Sequence, residues 1–120
     1  MASDCIVVST PFVPGHRIER VVGLTWGTVV RSRGLGYQFA AGIRSLAGGE
    51  IKEYTDMLND TRQRALDRLI EHATSLGANA VVSAAFDSSE MGQNMSEVLA
   101  YGTAVVVAPE SDAAQPVRLS

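Results

Sequence analysis

Leu76-Gly77-Ala78-Asn79-Ala80-Val81-Val82 is the stretch where one periodicity stops and another starts. On its amino-terminal side Ile51, Tyr54, Leu58, Ala65, Leu69, Ala73 and Leu76 recur at helical spacing, and Met57, Leu66 and Ile70 broaden the stripe. Asp56, Asp60, Arg62, Arg64, Asp67, Arg68 and Glu71 fall largely off it, and Glu50 and Glu53 suit the positive end of a helix dipole. The spacing predicts a long amphipathic helix over 50–76, stopped by Gly77 in a positive-φ conformation. On the carboxyl side the period drops to two. Ala80, Val82, Ala84 and Phe86 share one face of a predicted strand over 79–87.

Further out, residues 97–108 form a strand that is apolar on both faces. Val98, Ala100, Ala104 and Val106 alternate with Leu99, Tyr101, Val105 and Val107, after a polar loop over 88–96. Toward the amino terminus, Cys5-Ile6-Val7-Val8-Ser9 reads as a short strand closed by Thr10-Pro11 and Pro14-Gly15. Residues 17–31 alternate again. Ile18, Val22, Leu24, Trp26, Thr28 and Val30 make the face expected to be buried, with Val21, Gly23, Thr25, Gly27 and Val29 opposite. Gly23 and Gly27 point to a bend, a bulge or the close approach of another backbone. After Arg33-Gly34-Leu35-Gly36, the residues Phe39, Ala40, Ile43, Leu46 and Ala47 read as a short helix ending at Gly48-Gly49.

The order strand, strand, helices, strand, strand predicts an α+β fold: one domain over 1–108 and a mobile tail over 109–120. With 120 residues, 46% hydrophobic and 19% charged, the chain is not a disordered one. A net charge of −3 gives no electrostatic footprint for nucleic acid. One cysteine excludes an internal disulfide and a cysteine-based zinc site within one chain. Neither a secretory leader nor an apolar run of bilayer length is read in it, so a soluble cytoplasmic protein is expected, with neither membrane nor nucleic acid as partner.

One long helix and a short companion can cover only one face of a sheet of about four strands. Residues 17–31 and 97–108 nevertheless carry apolar side chains on both faces, and the bare face predicts a homo-oligomer. A strongly curled sheet, or a tail folded across it, is the alternative.

Chemistry is sparse. His16 and His72, the two histidines, stand in no ligand-pair spacing, and Cys5 reads as a small buried hydrophobe. Met91 and Met95, four apart, would suit a soft ion such as Cu(I), or else loop packing or subunit contact. Ser9, Thr10, Ser83, Ser88 and Ser89 have no histidine at a motif-defined spacing, so no hydrolase triad is read. Gly34-Leu35-Gly36 fails as a dinucleotide fingerprint because Phe39 stands where its third glycine belongs. Gly48-Gly49 could offer N–H groups to an anion or form a plain elbow. Asn59-Asp60-Thr61 and Asn94-Met95-Ser96 match the glycosylation pattern, without meaning in a chain that is not secreted. Arg62, Arg64 and Arg68 alternate with Asp60, Asp67 and Glu71, which is a solvated helix face.

Together, Gly48-Gly49, Tyr54, Leu58, Ala65-Leu66, the 76–82 stretch and Tyr101-Gly102-Thr103-Ala104-Val105-Val106-Val107 resemble the YbjQ-like family of small bacterial and archaeal proteins. The likeness runs over about 5–108. It implies a dodecin-like β-α-β-β unit, assembled as a homopentamer that can pair further. The family carries a "putative heavy-metal-binding" label, but its matched elements are Gly, Ala, Val, Asn and Thr, which are not ligands. The expectation is a non-catalytic, homo-oligomeric protein without cofactor, catalytic residue or metal ligand that can be named. The alternative is a binder of a metal ion or small ligand whose site forms at subunit junctions.

Overall fold

In a computed structural model, residues 4–32, 52–90 and 95–110 are described. The helix, α1, spans Lys52–Ser75. It ends as its sequence dictates: Gly77 adopts φ 93°, its N–H donates to Thr74 O at 3.0 Å, and Ala78 N–H reaches back to Ala73 O at 3.1 Å. This is the paired closure of a helix whose C′ residue is left-handed. Asn79 then begins the sheet with its side chain. Its Nδ2 donates to Val107 O at 2.9 Å and its Oδ1 accepts from Val107 N–H at 2.8 Å, so the amide stands in for a strand residue.

The strands are β1 (Ile6–Val7), β2 (His16–Ser32), β3 (Ala80–Glu90) and β4 (Met95–Pro109), in the spatial order β1-β3-β4-β2. β1 runs parallel to β3; β3 and β2 flank β4 antiparallel. β3 and β4 extend into the segment expected to be a polar loop, pairing Ser88 with Val98, Ser89 with Glu97 and Glu90 with Ser96. β4 also continues through Pro109, and Glu110 N–H donates to Gly15 O. The predicted short helix and the residues 111–120 lie outside the described residues.

One core cluster lies between α1 and the sheet: Ala65, Leu69 and Ala73 against Val29, Val81, Val98, Ala100 and Ala104. A second uses the alternate positions, Ala80, Val82, Val105 and Val107, with Ile6 and Val8 beside them, and so lies on the other face. Val13, from the β1–β2 loop, closes it. Part of the face expected to be bare is therefore covered by the chain's own loop, and Val105 and Val107 are buried.

The face assignment of β2 is corrected. Thr25, Gly27 and Val29 point inward, while Ile18, Leu24, Trp26 and Val30 are exposed. Gly27 is the cause. A Cβ built there would overlap Leu69 N and Ala65 O and lie 2.8 Å from Arg68 C, because α1 rests its backbone on that glycine. The β3 face is also corrected: a bulge between Val82 and Ala85, with Ser83 at φ 54°, breaks the alternation, and Phe86 is exposed. Gly102 lies beneath it, where a Cβ would come 2.7 Å from Val81 Cγ1 and 3.0 Å from Val82 O.

Gly27→Ala must push α1 away from the sheet, and a loss of about 3 kcal/mol is expected in denaturant unfolding. Asn79→Ala, which leaves Val107 N–H and C=O without partners, is expected to cost about 2 kcal/mol. If Gly27→Ala unfolds at the midpoint of the parent protein, the close seat is refuted.

Candidate functional site

β2 is an edge strand, and α1 crosses it so that helix side chains reach the free edge. Trp26 N–H donates to His72 Nδ1 at 3.4 Å, which makes that nitrogen an acceptor, and the Thr25 hydroxyl lies 2.9 Å from it. The His72 and Trp26 rings stack at a tilt of 45°, 4.6 Å between centroids. Arg68 donates from Nη1 to Thr28 O at 2.6 Å. Two polar groups of the edge are thus satisfied within the chain.

The Thr25–His72 contact has the form of a hydroxyl and its base, but Thr25 is fully buried and no substrate can reach it. The remaining hydroxyl candidates make no contact with a histidine. Thr10 Oγ1 donates to Phe12 O, Ser89 Oγ to Glu97 Oε1, and Thr61 Oγ1 to Met57 O within the helix. Ser83 is placed beside Thr10 by a backbone bond of 2.8 Å. On α1, Asp60 pairs with both Arg64 and Arg31 at 3.0 Å, so those arginines are structural surface ions.

The possible metal donors are scattered. Cys5 is half-buried against the helix-side core, and burial pushes its thiol pKa up, away from the thiolate a metal needs. His16 Nδ1 is 3.1 Å from Pro14 O, and Met95 is exposed at the start of β4. Among the described residues no group of three or more His, Cys, Asp or Glu could hold a metal ion. Met91, Gly34-Leu35-Gly36, Gly48-Gly49 and Asn94 lie outside them.

What the sheet does offer is the uncovered part of its outer face. Trp26 pairs with Tyr101 across β2 and β4, and Thr28 and Asp87 flank Leu99 from either side. Leu24, Trp26, Leu99, Tyr101 and Asp87 line an open groove of about 340 Å3.

A family model described as "Putative heavy-metal-binding" matches residues 5–108. A UPF0145 protein of Methanoregula boonei is 66% identical over 119 residues, 99% of either chain. The chain belongs to the YbjQ-like family. Within it, a UPF0145 protein of Methanocella arvoryzae is 60% identical over 99% of either chain, and one of Thermoplasma acidophilum is 57% identical over 98% of this chain and 99% of its own. For the fold, a Pediococcus pentosaceus crystal structure, titled a protein with unknown function of the DUF74 family, superposes with TM-score 0.57. It is 15% identical and covers 87% of this chain and 98% of its own.

The YbjQ-like motifs have physical explanations in this chain: Gly77 and Asn79 make the helix-to-strand joint, and Gly102 admits the β3 bulge. Asp87 was missed as a groove residue because it closes the predicted 79–87 strand as a polar residue outside the apolar set of Ala80, Val82, Ala84 and Phe86. Its pairing with Leu99 is visible only once β3 and β4 are in register. No helix among the described residues is long and apolar enough to cross a membrane.

Because a raised pKa shrinks the thiolate fraction at neutral pH, Cys5 should react with iodoacetamide more slowly than free cysteine at pH 7.5. The rate should climb as pH rises through 9. Labelling as fast as free cysteine at pH 7.5 would contradict the burial of this thiol.

Proposed function

We propose that this YbjQ-like chain is a non-catalytic subunit of a homo-oligomer, joined through the outer face of its sheet. One observation carries the reading. Along β2, Ile18, Val21, Leu24, Trp26 and Val30 are 39%, 65%, 64%, 48% and 49% exposed, a row of large apolar side chains on an edge strand. Together they leave on the order of 400 Å2 uncovered, worth about 10 kcal/mol at ~25 cal/mol per Å2. A second subunit contributing a similar area lifts the gain above the roughly 4–15 kcal/mol that association costs. Family likeness supports five subunits, as one ring or as paired rings.

A second reading is favoured by the groove beside that row: a small ligand held at the subunit junction. A metal ion finds less support, since any site would need donors from several chains.

Native mass spectrometry of the purified protein is expected to give a mass of several chains. Leu24→Glu, in the middle of the row, should release single chains at micromolar concentration with the circular dichroism spectrum unchanged. A parent protein that is already a single chain under those conditions rules the assembly out.

A further inference from the structure

The geometry points to the outer-face groove as a binding site for an organic cation, a flat apolar body carrying a protonated amine. This goes beyond the assembly reading and competes with it for one surface, since the groove is formed by one chain and shares Leu24 and Trp26 with the apolar row. Its floor and walls are Leu24, Trp26, Leu99 and Tyr101, and Asp87 is the charged residue among the described lining. Asp87 Oδ1 accepts the Ser88 N–H at 2.9 Å; its other oxygen has no partner among the described residues. Trp26 and Tyr101 sit directly opposite one another and remain 48% and 38% exposed, so ring surface is available.

Each feature selects. Two π systems favour a cation or an aromatic ring over a polar neutral group. The unpaired carboxylate, with no cation among the described lining residues, repels an anion and gives a purely hydrocarbon ligand nothing to neutralise it. Asp87 on β3 and Tyr101 on β4 are diagonal neighbours on adjacent strands, roughly 7–8 Å apart, the span of a ring joined to an amine by a short chain. The volume of about 340 Å3 suits one such molecule.

Trp26 is the chain's one tryptophan, so its fluorescence reports the groove directly. The probes are 2-phenylethylamine and 3-phenylpropionate, alike in ring and reach but opposite in charge. A saturable change with the amine is expected, with the carboxylate at least tenfold weaker. Asp87→Asn should weaken the amine about fivefold, without altering the native mass. Equal affinity for both probes, an Asp87→Asn variant that binds the amine as well as the parent, or no saturable response overturns the proposal. The native mass of the same sample separates the two readings. Single chains that bind the amine sink the assembly alone, and assembled chains that ignore it sink the cation site alone.

Discussion

The helix rests its backbone on Gly27, and much else follows from that contact. With no Cβ between them, α1 comes near enough for Ala65, Leu69 and Ala73 to be fully buried against the sheet. A strand gives alternate residues to opposite faces, so seating Gly27 inward carries Thr25 and Val29 inward with it. Leu24, Trp26 and Val30 are thereby turned outward. The same proximity lets His72 and Arg68 reach the edge of β2 at Trp26 and Thr28.

Those two contacts bear on how copies of the chain can meet. An unsatisfied strand edge is a template for adding another strand, and β2 is 17 residues long. Around Trp26 and Thr28 the edge is already bonded to α1, which disfavours strand addition there. The apolar row on the outer face has no such cover. The chain thus closes part of its edge while leaving a face open, and the assembly proposed above would therefore pack face to face.

Much of this architecture is legible in the residues. The helix spacing, the Gly77 stop, a β4 with apolar residues on both faces and the four-strand count each follow from periodicity and turn chemistry. The inward face of β2 was misread for a physical reason. Hydropathy ranks Leu24, Trp26 and Val30 above Thr25 and Gly27, yet a glycine's contribution to packing is the absence of atoms, which no apolar pattern registers. Thr25 is likewise satisfied by groups 44 and 47 residues away, at Leu69 and His72. The bulge at Ser83 hid the face of Phe86, and the Val13 loop covered a part of the sheet that alternation alone left bare. For the groove, Trp26 and Tyr101 stood out as apolar, but Asp87 joins them only through cross-strand register.

The heavy-metal description of the family can be weighed against where the donors sit. A ring of identical subunits multiplies one residue into several only if that residue reaches the surface where the copies meet. Cys5 packs inward beside the helix-side core, and His72 has its Nδ1 occupied by Trp26 N–H and the Thr25 hydroxyl. Neither is free to turn toward an axis without breaking a contact that holds α1 to β2 or β1 to the core. Met95 is exposed, but a lone thioether per chain binds weakly and only soft ions. The outer-face groove differs: its aromatic rings and carboxylate are already assembled in one chain, and their chemistry favours an organic cation over a metal.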